Sequence, residues 1–364
     1  MNKKIVTIVP FEWHLDIKFF NKDIIQIWLT FIKEKWFDSE FWTINKDIKK
    51  NNFVYENQKW VWYKNIISIF FKLIFYSRKI NLLHLYHISR YSYILWLTYK
   101  ILNPKWKIYI KTDISVNNFN GKKIKNINKY LLIFFYSFTD YIWFEDKEIL
   151  NFMKNKYKSY WFKFIFIPSW TIKISNYIWL NSKDNIISLC WRFWAEEKNY
   201  ELLLNTLDKY DISFLEWWKI QLIWDMNIEF RKKLENLLEK KKELIDIIKI
   251  CWFVYKKSEL YELLYKSKIF IHTANSEWEP NVQFDAMFCW NYMLSTNVWT
   301  IKQNYQKKYS NFFEINNCKS LYLSFKKVVN LNKNLDISNY NKIQQHCLNN
   351  FIWEKSLENI LNKF

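Results

Sequence analysis

The residues with the clearest chemical potential lie in 271–300, IHTANSEWEPNVQFDAMFCWNYMLSTNVWT. Glu277 stands in a polar loop, and Asp285 follows eight positions later inside an apolar run that Pro280 opens. Proline suits the first position of a helix, because its missing N–H would be unpaired there anyway. Val282, Ala286 and Cys289 repeat at helical spacing with Phe284, Met287 and Phe288 beside them, which predicts a buried helix. Apolar runs at 269–271 and 292–295 read as strands on either side. The order is strand, loop, helix, strand, and in an open α/β sheet such a loop lies at the carboxyl edge, where ligands bind. Two carboxylates bracketing a helix N-terminus can address the hydroxyls of a sugar or ribose while the helix end faces a phosphate.

The elements that must hold these residues come as an alternation. Runs at 4–9, 39–43, 81–86, 107–111, 141–144 and 163–167 read as strands, with helical patterns at 15–35, 62–79, 88–102, 122–137 and 146–156. The alternation restarts after Pro168-Ser169-Trp170, with strands at 186–190, 220–223, 247–251, 269–271 and 292–295. Helices are expected at 198–208, 227–242, 257–266 and 280–289, then at 318–331, 338–350 and 352–362. Short strands alternating with helices argue for parallel sheets. A length of 364 residues suits two domains.

The 271–300 stretch resembles the donor-site motif of family 4 retaining glycosyltransferases, Glu-Gly-Phe-Pro-Asn-x-x-x-Glu-Ala-Met-Ala-x-Gly followed by Pro-Val-Val-x-Thr-x-x-Gly-Gly. Glu277, Pro280, Asn281, Ala286, Met287 and Thr296 match it, Asp285 replaces the second glutamate and Glu279 replaces the aromatic. The resemblance implies an α/β chain of the GT-B fold, two Rossmann-like domains facing each other across a cleft. It implies an acceptor domain at 1–169, a nucleotide-sugar domain at 170–345 and a C-terminal helix at 346–364 that returns to the first domain. It is firm over 186–300 and mostly architectural over 1–170.

In such an enzyme Glu277 would contact donor-sugar hydroxyls or stabilise the developing oxocarbenium charge, as the catalytic residue. Asp285 would hold the ribose, with Trp278, Glu279, Asn281 and Val282 lining the same pocket. Residues 190–199, CWRFWAEEKN, resemble the family's Gly-Arg-Phe … Lys-Gly segment. There Arg192 and Lys198 would clamp the diphosphate, whose negative charge grows as it departs and which fixed cations stabilise without a metal. Cys251-Trp252-Phe253-Val254 resembles a Gly-Phe-Val segment, so Phe253 and Val254 would border the base. On the acceptor side the family's His-Asp pair is reduced to Thr112 and Asp113, with Trp13 and His14 after the first strand as further candidates. His84 and His87 are similar to a common His-x-x-His segment, and a structural role suits them better. No Asp-x-Asp and no Cys/His ligand spacing occurs, so neither a metal nor a cofactor is expected beyond the nucleotide-sugar co-substrate.

Three of the family's glycine positions hold Trp278, Trp290 and Trp299. The whole chain has 1 Gly and 22 Trp, where an average chain of this length has about 25 glycines. UGA is glycine in some bacterial lineages and tryptophan in other codes, and a UGA codon read with the wrong table gives this pattern. Most of these tryptophans are therefore expected to be glycine in the living protein. The abundance of Lys, Asn, Ile, Phe and Tyr fits an AT-rich genome.

Net charge is +20, and residues 1–170 hold 28 Lys and Arg against 13 Asp and Glu, a balance of +15. A basic first half suggests an anionic partner, a membrane surface or a lipid-linked acceptor, although AT-rich genomes favour lysine codons generally. No nucleic-acid motif occurs. The apolar run 66–76 is broken by Lys72 and the run 130–144 contains Asp140, so neither reads as a transmembrane helix. The first residues read as a strand and not as a signal peptide. Five scattered cysteines suggest reduced thiols and a cytoplasmic protein, with contact at the inner face of the membrane. The expected activity is a retaining, metal-independent transfer of a hexose-type sugar to a glycan or lipid-linked acceptor. The alternatives are a weakened module that only binds glycan or membrane, and a membrane-interface protein whose tryptophans are literal.

Overall fold

A computed structural model describes residues 3–12, 38–44, 53–55, 58–86, 88–112, 133–144, 147–167, 182–190, 196–223, 226–251, 254, 257–275, 281–298, 309–333, 335 and 337–352. Contacts divide the chain into two units, Met1–Ser169 with Ser356–Phe364, and Trp170–Lys355.

The first unit is built on β1 (Lys4–Glu12), β2 (Asp38–Ile44), β3 (Phe53–Tyr55), β4 (Gln58–Tyr63), β5 (Leu82–Tyr86), β6 (Lys107–Thr112), β7 (Tyr141–Phe144) and β8 (Phe164–Phe166). They form one sheet in the order β3-β4-β2-β1-β5-β6-β7-β8. Every neighbouring pair is parallel except β3 with β4. Ile5, Val6, Ile8 and Val9 of the central β1 are all fully buried, the near-continuous apolar run of a strand covered on both faces. Helices α1 (Ile66–Tyr76), α2 (Arg90–Leu102) and α3 (Lys147–Lys156), with the helical segment 133–138, bury Ile69, Leu73, Leu95, Tyr99, Phe135 and Met153 in one shared core. Asn65 caps α1 by accepting from Ser68 N–H at 2.9 Å, and Ser89 caps α2 by accepting from Ser92 N–H at 3.1 Å.

The pattern expected as one helix over 62–79 is divided. Gln58–Tyr63 is a strand, α1 spans Ile66–Tyr76, and a 3-10 turn takes Ser77–Lys79. Trp60 is fully buried beside an exposed Lys59, and the run QKWVWY pairs in parallel register with β2 from Gln58 to Tyr63. The Asn65 cap then sets the helix start.

The second unit holds β9 (Asp184–Cys190), β10 (Lys219–Ile223), β11 (Ile248–Cys251), β12 (Ser267–His272), β13 (Tyr292–Thr296) and β14 (Ser310–Phe313), in the order β11-β10-β9-β12-β13-β14 and parallel throughout. Helices α4 (Glu201–Lys209), α5 (Ile228–Lys240) and α8 (Cys318–Lys333) contribute to one core cluster. Helices α6 (Lys257–Lys266), α7 (Asn281–Phe288) and α9 (Ile337–Asn350) contribute to the other. A doubly wound sheet needs helices on both faces, and this division supplies them. Buried Lys183 pins the amino end of the sheet by donating to the carbonyls of Tyr265 at 2.9 Å, Ser267 at 2.5 Å and Cys289 at 2.8 Å. β14 was not expected from the sequence. The helix expected from 198 begins at Glu201, because Asn199 takes φ 49° and interrupts it. The patterns at 15–35 and 352–362 fall outside the described residues but for Ile352.

Candidate active site at the carboxyl edge of the second sheet

The strand order of the second sheet reverses between β9 and β12. From β9 the chain winds outward through β10 to β11, and from β12 it winds the other way through β13 to β14. The loops leaving β9 and β12 therefore diverge at a topological switch point, the crevice in which open α/β sheets bind ligands. The loop after β9 contains Arg192 and Lys198, and the loop after β12 contains Glu277.

Hydrogen bonds tie these two loops together. The Thr273 hydroxyl donates to the Lys198 carbonyl at 2.8 Å, and Asn275 N–H donates to the Glu197 carbonyl at 2.8 Å. The Asn199 side-chain amide donates to Asn275 Oδ1 at 2.9 Å and to Asn316 Oδ1 at 2.8 Å. Asparagine is among the few non-glycine residues that tolerate a left-handed backbone, and Asn199 stands where the related motif has glycine. On the other side, the Thr296 hydroxyl donates to the Ala274 carbonyl at 2.6 Å, which fastens the loop to β13. Lys198 itself closes the 3-10 turn Glu196–Lys198 and is buried.

His272, the last residue of β12, was not singled out from the sequence. It is fully buried, with Ser295 Oγ 3.3 Å from its Nδ1. Burial, and then the nearby Lys198 charge, push its pKa down to about 3, so the ring is neutral at ordinary pH. The available signal was its place at the end of the strand that opens the motif.

Helix α7 presents Asn281 at its first position, and Asn281 Oδ1 is buried with no hydrogen-bond partner among the described residues. Val282 and Asp285 are buried one and four residues further on. Asp285 Oδ1 accepts from the Tyr261 hydroxyl at 2.8 Å and lies 3.0 Å from Lys257 Nζ, with both charged side chains almost fully buried. Neither Lys257 nor Tyr261 was picked out from the sequence, because nothing local to α6 marks them as partners of a carboxylate 24 or more positions away. Val254 is half-buried beside the second core cluster. Thr112 ends β6, paired with Phe144. His84 packs between the rings of Tyr109 and Trp143 inside the first sheet, a core position. Trp13, His14, His87, Asp113, Arg192, Phe253, Glu277, Trp278 and Glu279 lie outside the described residues. Among the described residues no group of His, Cys, Asp and Glu is arranged to hold a metal ion.

Solved structures share this architecture over the whole chain. Sucrose-phosphate synthase from Thermosynechococcus elongatus superposes with a TM-score of 0.66 at 11% identity, covering 100% of this chain and 98% of its own. A glycosyltransferase from Rickettsia africae gives 0.69 at 15% identity, covering 100% and 97%. HepE from Anabaena, in complex with UDP and glucose, gives 0.64 at 9% identity, covering 100% and 99%. The fold is GT-B. No protein-family model matches the sequence, and no curated protein sequence does either. The GT-B assignment thus rests on two doubly wound units matched end to end.

Proposed function

We propose that this protein is a retaining glycosyltransferase that moves a sugar from a nucleoside diphosphate sugar to a hydroxyl of a glycan or lipid-linked acceptor. The observation that carries the reading is the stitching of the Lys198 turn to the 273–275 segment at the switch point. It sets a buried lysine beside the strand end that leads into Glu277 and α7. HepE, of the same fold, binds UDP and glucose, which makes a UDP-sugar the first donor to test.

In this reading Lys198 and Arg192 neutralise the departing diphosphate as the anomeric C–O bond breaks. The acceptor oxygen bonds the anomeric carbon on the same face, and its proton passes to the leaving phosphate oxygen. Glu277 supports the positive charge that develops on the sugar, and Asn281 Oδ1 accepts a donor hydroxyl. Asp285, fixed by Lys257 and Tyr261, faces the ribose. His272 stays neutral and packs against Ser295 of β13. Phe253 and Val254 border the base, and Thr112, Asp113, Trp13 and His14 serve the acceptor.

Titration of UDP-glucose and other UDP-sugars against the native chain, Lys198→Ala and Arg192→Ala tests this. Charge-assisted contacts are worth about 1.5–3 kcal/mol, so each variant should bind donor roughly tenfold or more weakly. Unchanged affinity in both would remove the diphosphate clamp. A second reading, a GT-B module that binds without turnover, is favoured by the shorter Asp285, whose Oδ1 is already engaged by two side chains. Donor binding without hydrolysis or transfer would select it.

We propose as well that the tryptophans at glycine positions of the motif are glycine in the protein its host makes. Trp290 supports this most directly, with a left-handed backbone at φ 67°.

A further inference from the structure

The helix layer on the first sheet is apolar on both sides. Its inner side fills the core. On its outer side α1 carries Ile67, Phe71 and Phe75 at successive i, i+4 positions, all exposed, Phe75 by 78%. α2 repeats the pattern with Ile94, Leu97 and Ile101, the last 69% exposed. Phe134 and Phe138 continue it on 133–138 and pack edge-on against Trp96 of α2. Between α2 and 133–138 runs a groove of about 820 Å³ with Leu97, Ile101, Phe134 and Phe138 in its walls, Lys163 among its other lining residues, and its one lining carboxylate, Asp140, paired with Lys100 at 2.9 Å. A helix with apolar residues exposed opposite its core face has a second apolar environment to meet.

Charge says which environment. Residues 57–112, which include both α1 and α2, contain ten Lys and Arg and no Asp or Glu. Exposed bases stand at the helix ends, with Lys64 before α1, Arg78 and Lys79 after it, Arg90 at the start of α2 and Lys105 beyond its end. Pairing this face with a second copy of itself would bring bases against bases, because a two-fold interface uses the same patch twice. An anionic bilayer answers both features. Phenylalanine and isoleucine enter the acyl boundary, and lysine and arginine stay among the head groups. We infer that the outer face of α1, α2 and 133–138 docks on the surface of an anionic lipid membrane. None of the eight stripe residues is a tryptophan, so the inference does not depend on how UGA is read. It concerns the first unit alone and stands or falls separately from the activity of the second.

The test is co-sedimentation of the full-length chain with vesicles of phosphatidylcholine alone and of phosphatidylcholine with roughly a third phosphatidylglycerol. Each is run at about 50 mM and about 500 mM salt, which shortens the reach of charge. The chain should bind the anionic vesicles at low salt, and roughly tenfold less at high salt or on neutral vesicles. The variant Phe71→Ser/Phe75→Ser/Ile94→Ser/Ile101→Ser should lower binding by about tenfold or more with an unchanged thermal midpoint, since these side chains support no core. The variant Lys64→Glu/Arg78→Glu/Lys79→Glu should lose the preference for anionic lipid. Absence of binding at low salt, or full binding by the serine variant, would overturn the proposal. So would self-association that the serine variant abolishes while vesicles bind neither protein, which would assign the face to a protein partner.

Discussion

At the C-terminus of α7 the chain closes with two hydrogen bonds, Trp290 N–H to the Met287 carbonyl at 3.1 Å and Asn291 N–H to the Ala286 carbonyl at 2.9 Å. This pair defines a Schellman ending, whose left-handed residue is usually glycine. A side chain in that conformation costs about 1–2 kcal/mol. The other positive-φ residues described, Asn199 and Asn316, are of a type that accepts it; Trp290 is not. By contrast Trp42 sits in extended β2 and donates its indole N–H to Glu40 Oε2 at 2.8 Å, with no backbone reason to be glycine. Peptide mass mapping of the protein from its native host should show glycine at 290, 278 and 191. Tryptophan at all three would refute the recoding.

Among elements, α6 and α7 are coupled by a charge pair inside the protein. Lys257 begins α6, Asp285 lies within α7, and Tyr261 adds a hydrogen bond from one turn further along α6. Removing one partner of a buried pair leaves a stranded charge, which costs about 3–5 kcal/mol. Lys257→Met alone and Asp285→Leu alone should each destabilise the fold strongly in chemical denaturation. The double variant should recover part of the loss, because no uncompensated charge remains. Strictly additive losses would show that the two residues act independently. The same pair fixes the direction of the Asp285 carboxylate, as the proposed ribose contact would require.

For the molecule as a whole, acid is the informative perturbation. The chain already carries +20, and protonating its 35 carboxylates adds further repulsion. His272 contributes a distinct slope. Its folded pKa is about 3 against an ordinary 6.5, so between those values the unfolded chain holds a proton that the folded chain excludes. Stability from this group is complete above about 6.5 and declines as pH falls toward 3. Unfolding midpoints measured from pH 7 to pH 4 should therefore fall less steeply in His272→Gln than in the parent, with the carboxylate part of the slope left in place. Parallel slopes would show that the ring is protonated without penalty in the fold. Among the described residues no helix is long and apolar enough to cross a membrane.

The alternation of apolar runs was enough to read two parallel α/β units, because a strand covered on both faces is apolar throughout and needs no partner to be recognised. The motif placed Glu277, Asn281 and Asp285 around a strand-loop-helix junction for the same local reason. The helix expected over 62–79 ran too far at both ends, taking in the last two residues of β4 and the 3-10 turn after α1. Aromatic runs satisfy either period until neighbouring strands and the Asn65 cap decide between them. Tertiary structure alone decided what lies far apart in sequence. It set Thr273 against Lys198, Lys257 against Asp285, and a buried, neutral His272 against Ser295 of β13. It also left the outer stripes of α1 and α2 uncovered. Burial, and the pairing of charges across a core, are properties of packed elements, and no single stretch of the chain contains them.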